Sequence, residues 1–280
     1  MSELENRMVS LRSKYEDRLP NNQYVVVMVD GKGFSKHIKN KFERPFSNKF
    51  IDIMDYAAES VFHEFATCIF AYVQSDEITF VLNPTDDPIF SNRLSKLSSL
   101  IPSCVTGAFN HGELQYDLDC IMSDLTVMSS DTVNKLLCLD TVHNMIDKIR
   151  KKTPRLFDSK VFCCEFIDVY SFILWRQLDC IRNSKQQTAQ SYLPHKTLMN
   201  KNCDKQIEIL KEERNIDWHT FDDKVKYGRF IYKEKELFNS EQYGEYMRNV
   251  CKIHPGFPIN DEEGRQRFIS LLEKLSKKEY

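Results

Sequence analysis

The sequence lacks several things, and each absence excludes a class of protein. No apolar run approaches the ~20 residues of a membrane-spanning helix, so no membrane role is expected. Neither charge sign is in excess. The 39 Lys and Arg against 41 Asp and Glu leave a formal net charge of −2. That argues against coating nucleic acid by bulk attraction while leaving room for a local basic groove. The nine cysteines include the adjacent pair Cys163–Cys164 but form no CxxC spacing and no regular framework, as in a reduced intracellular protein. There is no internal repeat and no low-complexity tract. The opening MSELENRMVSLRSKYEDR carries Glu3, Glu5, Glu16 and Asp17, which fits neither a signal peptide nor a typical transit peptide. The expectation is a cytoplasmic protein, with organellar import without a conventional presequence still compatible. At 280 residues the chain holds one large domain or two modest ones.

What is present is organised around two apolar runs that each lead to an acid. They are Tyr24–Phe34 (YVVVMVDGKGF), with Asp30, and Ala71–Leu82 (AYVQSDEITFVL), with Asp76. Residues 1–18 read as a short polar helix broken by Pro20. Tyr24–Val29 has no alternation, which predicts a strand covered on both faces. A helix is predicted from Ser47, its N-cap, to Phe65, with Phe50, Ile53, Met54, Ala57, Val61 and Phe65 at helical spacing. Ile69–Val73 and Ile78–Leu82 form a hairpin with the acids at its tip.

Asp86-Asp87-Pro88 reads as a helix start, with Phe90, Leu94, Leu97 and Ile101 on one face. Pro102 is expected to stop that helix, and Cys104–Phe109 to form a fourth strand. Strand–helix–strand–strand–helix–strand is the split βαβ, ferredoxin-like unit, the palm arrangement shared by polymerases and nucleotide cyclases. Farther on, helices are expected over Val133–Ile149, Val169–Gln190 and Asp204–Arg214. Val161–Phe166 is a candidate strand, and Lys224–Lys233 another. A capping box at Asn260–Glu263 opens a last amphipathic helix through Ile269, Leu272 and Leu275. The predicted class is α+β: a palm with helices on one face, followed by a mostly helical second half. The expected division is an extension over 1–22, a palm-like core over 23–130, and a mostly helical region over 131–280.

Taken alone, strand-end aspartates are most often turn or capping acids. Here Asp30 precedes Gly31-Lys32-Gly33, whose backbone suits phosphate, and Asp76 sits in a Ser-Asp-Glu tip on a neighbouring strand. Two such carboxylates make a hard-oxygen site suited to magnesium, and the Gly31 carbonyl is a further candidate ligand. Two ions there would serve phosphoryl transfer. Glu77 is a candidate nucleotide contact or a solvated acid. Lys32, Arg44, Arg93 and Lys96 flank the acids and are candidate triphosphate contacts. Arg176, Asp179, Arg182, Asn183 and Lys185 form a polar stripe opposite Trp175, Leu178 and Ile181. That is either an ion-paired solvated face or an RNA backbone surface.

V-D-G-K-G-F, F-x-R-P-F (Phe42–Phe46), Y-V-Q-S-D-E-I-T-F-V-L, F-S-N-R-L-S-K (Phe90–Lys96), F-D-S-K (Phe157–Lys160) and W-R-Q-x-D-C-x-R-N-S together resemble the tRNA-histidine guanylyltransferase family. The resemblance is to its guanylyltransferase-like branch of 3′–5′ RNA polymerases. It implies a polymerase-like palm holding two Mg2+ ions on Asp30, the Gly31 carbonyl and Asp76. It also implies triphosphate contacts at the Lys32, Gly33, Phe34 and Ser35 backbone and at Arg44, Ser75, Arg93 and Lys96. The implied reaction activates the 5′-phosphate of a tRNA by nucleotidylation with ATP or GTP. The 3′-hydroxyl of an incoming NTP then attacks, usually opposite a template base. A homotetramer and a tRNA with an incomplete or monophosphorylated 5′ end are the implied partners.

Three departures bear on specificity. Lys32 replaces the family's usual Arg, Phe46-Ser47 replaces Asn-Asp, and Ile181-Arg182-Asn183-Ser184 replaces His-Ile-Asn-Asn. They favour templated 5′-end repair or editing over addition of the extra guanosine of tRNA-histidine. A palm-fold nucleotide cyclase and a catalytically silent tRNA-binding module are the other readings.

Overall fold

The computed structural model describes residues 2–127, 147, 153–240 and 244–277. Its centre is a six-stranded antiparallel sheet in the order β4-β1-β3-β2-β5-β6. The strands are β1 (Tyr24–Gly31), β2 (Cys68–Gln74), β3 (Glu77–Leu82), β4 (Phe157–Cys164), β5 (Arg229–Ser240) and β6 (Gly244–Pro255). The first four, in spatial order 4-1-3-2, are the ferredoxin-like palm. The helices, in chain order, are α1 (Glu3–Ser13), α2 (Phe34–Lys41), α3 (Asn48–Glu64), α4 (Leu94–Val127), α5 (Phe166–Tyr192) and α6 (His195–Leu198). They are followed by α7 (Cys203–Arg214), α8 (Asp223–Lys226) and α9 (Glu262–Ser276).

The unalternating β1 is covered on both faces, as its sequence predicts. Val25, Val27 and Val29 join Ile78, Phe80 and Leu82 of β3 under α3 and α4. Val26 joins Phe70, Tyr72 and Val81 under α5 and α9. Each fully buried Val or Phe contributes about 1.5–3 kcal/mol, so the sheet is the stable platform for whatever lies at its rim. A third apolar cluster, centred on Trp218 and Leu210, packs the end of α5 against α6 and α7. Ser47 is the N-cap of α3, its side chain accepting from the Phe50 amide at 3.4 Å.

Two predicted elements are corrected. Pro102 does not end a helix, and Cys104–Phe109 is not a strand; both lie inside α4. A proline there leaves the carbonyl four residues back without its helical donor. That carbonyl, Ser98 O, accepts instead from the Ser159 hydroxyl of β4 at 2.8 Å. The fourth palm strand is β4, from residues 157–164, so the sheet is not closed within residues 23–130. It pairs with β1 from Tyr24↔Cys164 to Gly31↔Phe157.

The helix expected from Pro88 begins at Leu94. Residues 89–92 form a 3-10 turn in which Phe90 and Ser91 have positive φ. The segment before β1 holds it there: the Leu19 amide donates to Asn92 O at 2.9 Å, and the Leu94 amide to Asp17 O at 2.9 Å. The Lys224–Lys233 candidate strand divides into the single-turn α8 and the start of β5. Beyond Lys233 the long β5–β6 ribbon has no counterpart among the predicted elements. The helix expected over Val133–Ile149 lies outside the described residues apart from 147. No described helix is long and apolar enough to cross a membrane.

Candidate functional site

The site forms at the rim where β1 ends and β2 turns into β3. Asp30 lies opposite Glu77 of β3 and Asp158 of β4. The Gly31 amide donates to the Asp76 carbonyl at 3.1 Å, which ties the hairpin tip to the end of β1. Gly31 is required sterically: a Cβ there would stand 2.5 Å from the Phe34 ring, which is buried against Phe50, Phe109 and Phe157. Gly33 then takes φ 70° and starts α2, leaving the first amides of that helix without intrahelical acceptors.

The acids are crowded rather than compensated. Among the described residues neither Asp30 nor Asp76 forms a salt bridge. Burial, followed by the neighbouring Asp158 charge, raises the Asp30 pKa. Burial raises that of Asp76 as well, with the Asp30 charge adding to it and the Ser75 hydroxyl opposing. Ser75 donates to Asp76 Oδ1 at 2.9 Å from a backbone with φ 45°.

Two adjoining cavities open beside this rim. The larger, ≈ 530 Å3, is lined by Ser35, Lys39, Arg44, Ser75, Asp76 and His195, among others. The smaller, ≈ 80 Å3, has an apolar wall of Pro45, Phe46, Phe50 and Ile51 and a polar one that includes Ser47, Gln74, Asn183 and Gln187. Ile38, Pro45, Ser75 and Gln187 belong to both, so one cleft runs from a flat apolar end to a polar end bearing a carboxylate.

The structure therefore gathers Asp30, Gly31, Asp76, Lys32, Gly33, Ser35, Arg44 and Ser75 in one neighbourhood. Phe34 contributes only backbone. It does not bring Arg93 and Lys96 there. Arg93 pairs with Glu16 at 3.1 Å and with the backbone of Arg18, at the end where the chain enters β1. Lys96 is exposed at the same end of α4.

Glu77 is not a free nucleotide contact. Its carboxylate takes both Arg176 Nε at 2.7 Å and Nη2 at 2.8 Å, with Gln74 Nε2 at 3.2 Å. Burial raises the Glu77 pKa while this guanidinium pulls against it. Arg176, read either as part of an ion-paired solvated face or as an RNA contact, is ion-paired but buried between Glu77 and Asp179, with its guanidinium 4.5 Å from the Trp175 ring centre.

Gln177 and Cys180 of W-R-Q-x-D-C are equally internal, whereas Trp175 is 56% exposed. Gln177 donates to Tyr227 O and Phe257 O and accepts from the Ile259 amide. Cys180 faces Lys226 O at 3.7 Å. Lys185 is held by Asp204 at 2.5 Å and lies over Trp218. Asp179 also accepts from Arg182 and Asn183. Of the stripe, Arg182 is exposed and Asn183 reaches the smaller cavity. The stripe is chiefly a clamp holding α5 to the palm hairpin and to the segments flanking β5 and β6.

Asp158 and Lys160 of F-D-S-K, to which the sequence alone assigns no role, stand beside Asp30. The Lys160 charge opposes the rise at Asp30. The available signal was an acid opening an apolar strand, the mirror of Asp30 ending one.

A palm sheet with carboxylates at its rim and a two-part cleft beside them defines a nucleotidyl-transfer architecture. The sequence profile described as tRNAHis guanylyltransferase matches residues 6–165, more than half of the chain. The chain belongs to that family, and it is a nucleotidyltransferase. A tRNA(His) guanylyltransferase of Neurospora crassa is 29% identical over 264 residues, covering 94% of this chain and 79% of that protein. Among solved structures, a bacterial tRNA(His) guanylyltransferase-like protein in complex with ATP aligns with TM-score 0.71 and 23% identity, covering 96% of this chain and 98% of its own. Its complex with GTP aligns at 0.66 and 20%, covering 97% and 99%. At those identities the likeness is one of fold.

Proposed function

We propose that this protein adds nucleotides in the 3′–5′ direction to the 5′ end of tRNA, templated by the opposing strand, in repair or editing of incomplete 5′ ends. The observation that carries the reading is the pair Asp30 and Asp76, drawn together through Gly31 without a cation partner among the described residues, with Asp76 lining the cleft.

The residues fit magnesium. The donors are hard oxygens, and the burial and neighbouring carboxylate charges that raise both pKa values are relieved by a bound divalent ion. Asp30, Asp76 and the Gly31 carbonyl would hold two Mg2+ ions. The chemistry supplied there is activation of the attacking hydroxyl and neutralisation of the departing pyrophosphate. The amides opening α2, with Arg44 and Ser75, bind the triphosphate of ATP, GTP or another NTP. The apolar wall of Phe46 and Phe50 takes the base. Phe46 and Ser47 stand where the histidine-specific enzymes carry Asn-Asp, which favours choice of nucleotide by template. A homotetramer acting in the cytoplasm completes the proposal.

The test is extension of a 5′-truncated, monophosphorylated tRNA with ATP, NTPs and magnesium, across a panel of template bases. Templated extension that disappears with Asp30→Ala is expected. A single guanosine added whatever the template would favour the second reading, tRNA(His) guanylyl transfer, which the naming of the family and the Neurospora relative supports. No extension, or full extension by Asp30→Ala, rejects both. Membership of a family described by its action on tRNA speaks against a cyclase.

A further inference from the structure

The floor of the smaller cavity holds a cation that nothing in the reading above uses. Arg229, the first residue of β5, lines it and is 3% exposed. Its Nε donates to Asp55 of α3 at 2.6 Å, but its Nη2 is buried with no hydrogen-bond partner among the described residues. A guanidinium N–H left unmade in a buried site is costly, and native structures keep few such groups.

The position is built. Gly228 has φ 78°, and a Cβ on it would meet the Tyr72 ring at 2.5 Å. Only glycine lets the chain pass under Tyr72 and bring the next residue into the cavity. The other polar liners are hydroxyls and amides, which donate or accept as needed. Glu43 and Lys224 are less buried. Arg229 is the one buried lining residue that can only donate.

We infer that Arg229 reads the base of the bound nucleotide, donating from Nη2 to a carbonyl oxygen on the edge that enters the cavity. The inference rests on the proposed placement of a base in this cavity. A fixed donor discriminates by what it meets. N7 is common to both purines, but guanine alone of the two offers O6, and uracil offers O4. Adenine and cytosine turn an amino group, itself a donor, toward the same point. The site therefore favours GTP and UTP over ATP and CTP before any template acts. Phosphate is the weaker candidate for the Nη2 acceptor, because Arg229 lies in the apolar-walled cavity and not among the residues lining the one with Asp76.

The experiment is equilibrium binding of GTP, UTP, ATP and CTP, each alone with magnesium, to the full chain and to two variants. Arg229→Lys keeps a charge for Asp55 and loses the second arm of the fork. Arg229→Met combined with Asp55→Asn removes both charges, so that no buried carboxylate is stranded. The wild type should prefer GTP to ATP by about tenfold. In both variants that ratio should fall towards one through weaker GTP binding, with ATP affinity held and the thermal transition intact. An unchanged ratio, equal loss of all four nucleotides, or a wild-type preference for ATP overturns the role of Arg229 while leaving the nucleotide site standing. Failure of the wild type to bind any of the four overturns the nucleotide site itself.

Discussion

Two charged regions lie side by side at the sheet rim and are built on opposite terms. At the strand ends, Asp30, Asp76 and Asp158 gather like charges, and among the described residues no cation forms a salt bridge with either of the first two. One residue beyond Asp76, Glu77 begins a network in which Arg176, Asp179, Arg182 and Asn183 satisfy one another. The first arrangement holds unspent electrostatic potential, useful to an arriving ion. The second is closed on itself and holds α5 in place. Adjacent residues of one tight turn thus divide the work of chemistry and of cohesion.

The comparison breaks most visibly with Asp76→Asn, which should cost about a thousandfold or more in extension rate. Several kcal/mol of charge stabilisation would be lost, at a factor of ten for each ~1.4 kcal/mol. The same change should stabilise the metal-free protein. The Asp76 pKa is raised, burial first, so its ionised form is what folding disfavours. Stability from this group is fully present below the ordinary Asp pKa of about 3.9 and is lost as pH rises through the folded value. In chelator at pH 7.5 the variant should melt about 2 °C higher, and at pH 3 the difference should vanish. A lower melting temperature at neutral pH would show that the carboxylate is compensated after all.

Arg176→Ala attacks the other region. It strands a buried Glu77, for a loss of about 3 kcal/mol, near the low end for breaking a buried pair. Urea denaturation measures the loss. A mild effect on stability with a weakened salt dependence of tRNA binding would restore the RNA-facing reading of the stripe. The smallest effect belongs to Arg182→Ala. That side chain is 64% exposed, so stability should move by less than about 1 kcal/mol. If it meets phosphate, the slope of tRNA affinity against salt should fall by about one contact; an unchanged slope confines it to its bond with Asp179.

The palm was legible because its first three strands are strong local signals: apolar runs, tight turns, and Ser47 as a cap. Its fourth strand was legible only as an isolated candidate at Val161–Phe166 and not as part of the palm, because Pro102 invites a helix stop and the compensating group, Ser159, lies 57 positions along. The β5–β6 ribbon beyond Lys233 was missed for want of an apolar run. Lys233–Lys235 and Glu234–Glu236 alternate in charge, and only Arg229–Ile231 pair with β2. At the site, the acids were readable as strand ends. The fates of Glu77 and Arg176 were not, since whether a charge is solvated or buried depends on a partner 99 residues away. Arg229 looked like any basic residue entering a strand.

The bond between Ser159 and the carbonyl orphaned by Pro102 carries a lesson about inheritance. The two residues form a debt and its settlement. A descendant that replaced Pro102 by alanine would regain an amide for Ser98 O and release Ser159 from duty. One that lost Ser159 first would carry an unmet carbonyl where α4 meets the palm. Drift through this part of the fold therefore has a preferred order, with the proline leaving before the serine.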